Sequence, residues 1–173
     1  MDIDIIIEIP KGSNIKYEYS SEKNNIFVNR IFPDKLVFPY NYGRIDKTLM
    51  PDGDELDVIL INDRPIFPTA SIKVRIIGVL LFEDGENYEK RVIDNNIIAV
   101  PAESVDSRYN NIRDIDNLSE KDKKKLIDFF SNYKKKEGKY GKVNGFANKE
   151  KAYLLLNKAK KLYKVSMNYK KLL

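Results

Sequence analysis

Hydrophobic residues form short runs in the first hundred residues and follow helical spacing in the last third. The short runs are rich in β-branched and aromatic residues, and Gly, Pro, Asn and Asp separate them, a pattern typical of strands and turns. The predicted strands are IDIIIEI (3–9), IKYEY (15–19), NIFVNRI (25–31), DVILI (57–61), SIKVRIIGVLLF (71–82) and VIDNNIIAVP (92–101). Gly78 lies inside the longest run and predicts a bend or bulge there. Several short strands of this kind predict a closed or nearly closed barrel.

The last third changes to the 3.6-residue period of helices. Ser119, with Asp122 three residues later, predicts a helix start, and Gly138 predicts its end. The face of this helix is formed by Leu126, Phe129, Phe130 and Tyr133. A second helix is predicted to begin near Asn148. Its buried stripe is formed by Ala152, Leu155, Leu156, Ala159, Leu162 and Tyr163. The predicted fold is therefore α+β, one domain over residues 1–173 with a small β-barrel packed against two helices.

Composition narrows the chemistry that the chain can perform. It contains no cysteine and no histidine. Disulfides, thiolate or histidine metal sites, and Ser-His-Asp or Cys-His catalysis are therefore excluded. Any reaction must use carboxylates, Lys, Arg and Tyr. The acidic first ten residues and the lack of a run of ~18 apolar residues argue against a signal peptide or membrane span, so we expect a cytoplasmic protein.

The net charge of +5 conceals an asymmetry along the chain. Residues 1–120 hold 14 Lys and Arg against 22 Asp and Glu, a net charge of −8, whereas residues 121–173 hold 17 against 4, a net charge of +13. A solvated, lysine-rich helical surface explains this better than a nucleic-acid patch, because no aromatic RNA-binding motif accompanies the lysines.

Four acidic residues lie within six positions of MPDGDELDVILI (50–61), directly before an apolar strand. In an extended segment Asp52 and Asp54 would point the same way, and Asp57 would lie at the start of the strand. Clustered carboxylates favour hard cations such as Mg²⁺, Mn²⁺ or Ca²⁺. An EF-hand fits poorly, because Leu56 and Asp57 occupy positions that need a ligand and a glycine. A solvated acidic turn remains the alternative.

Basic and hydroxyl side chains accompany the acids. Lys16 and Glu18 are two residues apart on a predicted strand and face the same side, and Arg30 closes the next strand. Tyr42 precedes the acidic cluster by ten residues. Metals and bases together suit a polyanionic ligand such as a phosphate compound. Taken singly, Lys16 and Glu18 could also be solvent-face partners, and Tyr42 could be a core residue.

DGDELDV resembles the D-[G/S]-D-x-x-D-V signature of the family I soluble inorganic pyrophosphatases. Further segments resemble this family in the same order, so the likeness covers most of the chain. They are EIPKGSNIKYEY (8–19), FVNR (27–30), FPYNYG (38–43), GVL (78–80), IIAVP (97–101) and FFSNYK (129–134). The resemblance implies a five-stranded OB-like barrel with two helices. It also implies Mg²⁺-dependent hydrolysis of pyrophosphate to two phosphates, with several ions per active site and Mn²⁺ or Zn²⁺ as alternatives. A length near 170 residues resembles the family's hexameric members.

The resemblance also implies roles for individual residues. Asp54 matches the general base beside the attacking water. The implied metal ligands are Asp52, Asp57, Asp94, Asp84, Glu8 and Glu18. The implied phosphoryl-binding residues are Lys16, Arg30, Tyr42, Tyr133 and Lys134. Metal binding can lower the pKa of water from ~15.7 to ~7, so a histidine base is unnecessary and water can attack directly without a covalent enzyme intermediate.

Three features depart from the family pattern. Phe38 replaces a usual tyrosine, and Asn96 replaces a usual lysine, for which Lys90 or Arg91 are candidate substitutes. The loop 83–93 is longer than usual. Counting forward from GVL places its metal ligand at Asp84, whereas counting back from IIAVP places it at Glu89; we favour Asp84. Because the principal set is intact, we predict an active enzyme.

Two other functions compete with this reading. An OB-fold nucleic-acid-binding module would use the Lys-rich last third, but it gives no reason for an acidic cluster on a surface that binds phosphates. A catalytically weakened homologue that binds phosphate or a partner without turnover rests only on Phe38 and Asn96.

Overall fold

In the computed structural model of the protein, which describes residues 1–20 and 23–170, the chain forms nine strands and two α-helices. The strands, β1 to β9 in chain order, are Asp2–Ile9, Ile15–Ser20, Asn25–Ile31, Asn41–Ile45, Leu56–Leu60, Ser71–Gly85, Val92–Ile93, Asn96–Pro101 and Tyr140–Asn148. The helices are α1 (Glu120–Lys136) and α2 (Lys149–Lys170). Two short 3-10 turns lie at Ser107–Tyr109 and Ile115–Asn117.

Five strands close into a ring in the order β1, β4, β5, β8 and β6, and β6 pairs again with β1. Neighbouring strands are antiparallel except β5 and β8, which run parallel. Side chains that point into the ring form the apolar core. They include Ile5, Ile7, Val58, Leu60, Val79 and Ile97, each at most 1% exposed. The predicted α+β fold with a five-stranded barrel is confirmed.

The longest strand, β6, extends past the ring and pairs there with β7 and β9. Its register against β8 shifts between Ile76 and Gly78, so the predicted bulge at Gly78 is confirmed. A Cβ atom at Gly78 would lie 2.6 Å from the carbonyl oxygen of Ala147, which explains why a glycine is needed. This extension carries Asp84 away from the barrel core.

The strands β2 and β3 form a separate hairpin beside the barrel. Every residue of β3 is exposed. Lys16 and Arg30 lie opposite each other in its register. The hairpin therefore presents two cations from a surface element rather than from the core.

Both predicted helices are present. The Ser119 hydroxyl accepts a hydrogen bond from the Asp122 N–H at 3.1 Å and so caps α1. Gly138 follows this helix with a φ of +73°, a backbone conformation that suits glycine. In α2 the residues Ala152, Leu156 and Ala159 are completely buried. Over the described ranges, no helix combines the length and apolar character needed to cross a membrane.

Three segments differ from the predicted elements. β4 and β9 were not predicted, because NYGRI and YGKVNGFAN contain glycines and few regularly alternating apolar residues. The predicted strand 92–101 is divided into β7 and β8. At the break the Asp94 N–H donates to the Phe82 carbonyl (2.9 Å), and the Asn95 side chain accepts from the Phe82 N–H (3.0 Å). These bonds replace regular pairing and turn Asp94 toward the site.

Candidate active site

A cavity of about 660 Å³ lies where the ring, the hairpin and the end of α1 meet. Every residue that the sequence nominated for catalysis, substrate or metal binding lines it. They are Glu8, Lys16, Glu18, Arg30, Tyr42, Asp52, Asp54, Asp57, Asp84, Asp94, Tyr133 and Lys134. Residues from nine different segments of the chain therefore share one space, as a polyvalent ligand would require.

The first two acids lie on a tight turn. Met50 donates its N–H to the Asp54 carbonyl (2.8 Å), and Gly53 donates to the Met50 carbonyl (3.0 Å). Gly53 adopts a φ of +97°, which favours glycine. The expectation of an extended segment is therefore wrong. The Asp52 carboxylate instead accepts from the Asp54 N–H (3.1 Å), and both side chains still face the cavity from exposed positions.

Asp57 lies one residue into β5, in the inner part of the cavity. It accepts a hydrogen bond from the Tyr42 hydroxyl at 2.5 Å. Burial, opposed by the Tyr42 hydrogen bond and assisted by the charge on Asp94, raises the pKa of Asp57 to about 8. A carboxylate held in this environment is stabilised in its ionised form by any cation that approaches it.

Asp94 lies between β7 and β8 and faces the same space. Burial and the nearby charge of Asp84 raise the pKa of Asp94 to about 6. The parallel pairing of β5 with β8 places the start of β8 beside the start of β5, which brings Asp94 near Asp57. The two acids come from distant parts of the sequence, yet the charge of Asp94 raises the pKa of Asp57, and both charges raise the pKa of Tyr42.

Of the two candidate metal ligands near the loop between β6 and β7, Asp84 faces the cavity and Glu89 does not. Asp84 is paired with Val92 of β7 and Gly141 of β9, and its carboxylate forms an ion pair with Lys134. Glu89 lies in the exposed turn and does not line the cavity. The preference for Asp84 agrees with this placement.

Glu8 and Lys16 form the centre of a small ionic network. The Glu8 carboxylate is 6% exposed and lies 3.3 Å from Lys16 Nζ and 3.2 Å from Arg44 Nε. Lys16 is also 3.5 Å from Glu18, so the prediction that Lys16 and Glu18 face one side is confirmed. Burial lowers the pKa of Lys16, but Glu8 and Asp57 outweigh it and leave that pKa raised. Burial raises the pKa of Glu8 despite its two cations.

The end of α1 contributes Tyr133 and Lys134. Tyr133 stacks on Phe129, with ring planes 1° apart and centroids 5.6 Å apart. Burial, followed by the charges of Asp94 and Asp84, holds the pKa of Tyr133 well above its ordinary value, so the phenol stays protonated. Arg30 reaches this helix end from the hairpin and pairs with Glu137.

The two substituted positions have structural explanations. Phe38 is 4% exposed and packs against Phe129, with centroids 4.6 Å apart, in an aromatic cluster that needs no hydroxyl. Asn96 is fully buried, lies 2.9 Å from the Tyr42 hydroxyl through its side-chain oxygen and donates to the Asp94 carbonyl at 2.7 Å. It thereby supports Tyr42, which also contacts Asp57.

Lys90 and Arg91 do not replace the lost cation. Lys90 pairs with Glu86 at 2.6 Å on the surface. Arg91 lies 3.5 Å from Glu83 and stacks on Tyr88, with its guanidinium carbon 3.9 Å from the ring centroid. Neither residue lines the cavity, so the suggestion that one of them supplies charge there is wrong.

Sequence reasoning missed two charged residues at this site. Arg44 lines the cavity and contacts both Glu8 and Glu55. It is two residues after Tyr42 on β4, so the alternation of side chains would have found it had β4 been predicted. Glu137 lies within a lysine-rich run and gave no signal of its own.

The cavity has two electrostatically different sides. Four carboxylates make no ion pair with Lys or Arg among the described residues, and we refer to Asp52, Asp54, Asp57 and Asp94 as the acidic wall. Three cations each pair with a carboxylate, and we refer to Lys16, Arg30 and Lys134 as the basic wall.

The acidic wall has the chemistry of a hard-cation site. Its donors are carboxylate oxygens only, and two of its four acids have pKa values raised by burial and mutual repulsion. Within residues 1–20 and 23–170, no three acids lie close enough together to form a preformed metal-binding cluster. A divalent cation would offset the mutual repulsion of these like charges. The residues present therefore fit divalent cations.

Comparison with known proteins agrees with this geometry. The family model described as Inorganic pyrophosphatase matches residues 5–164. Curated relatives of the same name include one from Nanoarchaeum equitans, 45% identical over 95% of this chain and 99% of the relative. Another, from Sulfolobus acidocaldarius, is 41% identical over 87% of this chain and 84% of its own. A solved inorganic pyrophosphatase from Helicobacter pylori superimposes with a TM-score of 0.86 at 38% identity, covering 94% of both chains.

Proposed function

Since this chain belongs to the family I soluble inorganic pyrophosphatases and hydrolyses inorganic pyrophosphate to two phosphates, we propose that the acidic and basic walls divide the work of the reaction. The acidic wall would hold divalent cations, Mg²⁺ in the first instance, and the basic wall would hold the phosphoryl groups. The observation that carries this proposal is the single cavity that both walls line.

Asp52, Asp57, Asp94 and Asp84 are the proposed ligands of the activating cations, and Glu8 and Glu18 the ligands on the substrate side. Bound cations supply two things here, neutralisation of the substrate's charge and acidification of a water molecule. Burial of Asp57 and Asp94 favours this assignment, because a buried carboxylate gains more from a nearby cation than an exposed one does.

Asp54 is the proposed general base. Its carboxylate lies at the mouth of the cavity, two residues from Asp52 and held by the same turn. A base in this position can orient the attacking water and accept its proton, while Asp52 and Asp57 keep the metal-binding role. Water then attacks one phosphorus directly, and the second phosphate leaves.

The basic wall receives the negative charge that develops on the leaving phosphate. Lys16, Arg30 and Lys134 each hold a carboxylate in this structure. Lys16 and Lys134 would exchange those carboxylates for phosphate oxygens when their acidic partners turn to the cations. The Tyr42 and Tyr133 hydroxyls, protonated at physiological pH, add neutral hydrogen-bond donors.

Phosphate release from pyrophosphate tests this proposal. The protein should release phosphate rapidly with Mg²⁺, and EDTA should abolish the activity. Parallel assays with Mn²⁺ and Zn²⁺ would give the metal preference. Turnover that persists unchanged in EDTA would remove the metal assignment, and the absence of any turnover with all three ions would favour a weakened homologue instead.

The family likeness supports three further expectations. We propose that the enzyme acts in the cytoplasm, that it forms a homo-oligomer, with a hexamer favoured, and that it has no nucleic-acid partner. Sedimentation of the purified protein would test the assembly.

A further inference from the structure

Glu137 is a buried acid just outside the cavity, at the C-cap of α1. Its side chain is 8% exposed, and one carboxylate oxygen pairs with the Arg30 guanidinium. The other oxygen is buried and has no hydrogen-bond partner among the described residues. Burial of a carboxylate oxygen without a hydrogen bond costs free energy, so a specific role is expected for this acid. Four lysines lie within three residues of Glu137 in the sequence.

Arg30 is poorly constrained by its own strand. All of β3 is exposed, and the hairpin is a sheet separate from the barrel. Two contacts fix the guanidinium, the pair with Glu137 and a face of the Phe32 ring, with 4.6 Å from the guanidinium carbon to the ring centroid. Without the pair, the long side chain would sample many rotamers over the cavity mouth.

We propose that Glu137 is a positioning residue that holds Arg30 at the phosphoryl site. This inference rests on the proposed function, which gives Arg30 its role in binding substrate. Glu137 does not line the cavity itself, so it would act through Arg30 and not by contact with substrate.

The geometry indicates that Glu137 holds Arg30 in place for the substrate and does not withdraw it from the cavity. Arg30 lines the cavity while it is paired, and a guanidinium has five N–H donors, of which Glu137 engages only one terminal nitrogen. The remaining donors are available to a phosphoryl oxygen. Glu137 also follows Lys134 by three residues, so the pair sets Arg30 at a defined place relative to the next cation of the basic wall.

Charge gives a second reason for Glu137. The last turn of α1 carries Lys134, Lys135 and Lys136, and Lys139 follows Gly138. These cations repel a guanidinium that approaches the helix end, and the Glu137 carboxylate offsets that repulsion. Its removal should therefore displace Arg30 from the site and not merely loosen it.

Steady-state kinetics of Glu137→Ala, Arg30→Ala and the double variant test the proposal at saturating Mg²⁺. A charge-assisted hydrogen bond of ordinary strength predicts a rise of about tenfold in KM for pyrophosphate in Glu137→Ala, with a smaller fall in kcat. The double variant should be no worse than Arg30→Ala, because both changes disable one group. Asp128→Ala is the matched control, an exposed acid paired with Lys124 on the same helix, and should stay within about twofold.

Glu137→Gln carries the test if Glu137→Ala does not fold. It keeps the shape and one acceptor but loses the charge, so we expect an intermediate rise in KM, about threefold. Additive effects in the double variant, or a lower KM in either Glu137 variant, would overturn the positioning role. If Arg30→Ala loses activity while Glu137→Ala does not, the inference fails and the proposed function stands. If Arg30→Ala is also unaffected, the substrate role of Arg30 fails with it.

Discussion

The two walls of the cavity differ in how they are built and in how their charge is balanced. The acidic wall lies on the barrel, at the start of β5, before β8 and on the turn at residues 50–54, and its four carboxylates make no ion pair with Lys or Arg among the residues described. The basic wall lies on the hairpin and at the end of α1, and each of its cations already holds an acid. The acidic wall can therefore bind cations from solution directly, whereas the basic wall has to exchange its carboxylates for phosphate oxygens.

This difference explains how one cavity can bind both metals and a polyanion. Cations that neutralise the acidic wall would also recruit Glu8, Glu18 and Asp84 from their lysine partners. Each lysine that is released gains freedom to contact a phosphate. Metal binding and substrate binding are thus expected to favour each other, because one supplies what the other needs.

The largest effect should follow from changing the acidic wall. Asp54→Asn removes the proposed general base, and Asp57→Asn removes a proposed metal ligand. We expect each to lower kcat for pyrophosphate hydrolysis by about 10³-fold, within the 10²–10⁴-fold that loss of a general base alone typically costs. Asp34→Asn, at an exposed position outside the cavity, is the matched control. Phosphate release measures all three. Near wild-type rates in both cavity variants would remove the assigned base and metal ligand.

A smaller effect should follow from changing the basic wall. Lys134→Gln should lower kcat/KM by about 10- to 100-fold, since it removes one charge-assisted contact to the substrate and frees Asp84. Lys124→Gln, on the same helix and paired with exposed Asp128, should change kcat/KM by less than about twofold. Equal losses in the two variants would mean that helix charge in general, and not Lys134, assists the substrate.

The smallest effect concerns stability without metal. The folded-state pKa values of Asp57, about 8, and Asp94, about 6, exceed their ordinary value of 3.8. Between pH values of about 4 and about 8 the folded state binds more protons than the unfolded state, so the free energy of unfolding falls as pH rises through this range. In EDTA we expect Tm at pH 8.5 to lie on the order of 5 °C below Tm at pH 5.

The same measurement has internal controls. Asp57→Asn should flatten the pH dependence, whereas Asp128→Asn should keep it. Mg²⁺ should restore Tm at the higher pH, because it binds the folded state in its ionised form. A Tm that rises with pH in EDTA would contradict the assigned environment of Asp57.

Local sequence patterns predicted most of the fold. The buried strands β1, β5 and β6 are apolar, β-rich runs, Ser119 is a helix-capping residue, and the α2 stripe follows a period of 3.6; each of these elements is present. β4 has no comparable sequence pattern, because its position depends on packing against β1. A Cβ at Gly43 would lie 2.0 Å from the Ile6 carbonyl oxygen, so this glycine is needed for the close approach of β1 and not for local propensity.

The candidate site was predictable as a set of residues but not as a geometry. The spacing of Asp52, Asp54 and Asp57 nominated all three, yet the turn that orients the first two depends on the backbone freedom of Gly53. Counting along the chain could not choose between Asp84 and Glu89. The choice follows from the pairing of β6 with β7 and β9, which is tertiary information.

Closure of the ring has a consequence for the order of folding. The seam joins β1 to β6, where Asp2 pairs with Arg75 and Ile6 with Ser71, so it links two ends of a long stretch of chain. Contacts of such high sequence separation form late, because the intervening loop must first be ordered. A nascent chain that ends before β6 would already contain the DGDELD cluster and the hairpin cations, but it could not assemble them. Catalytic competence should therefore emerge in one late step during refolding.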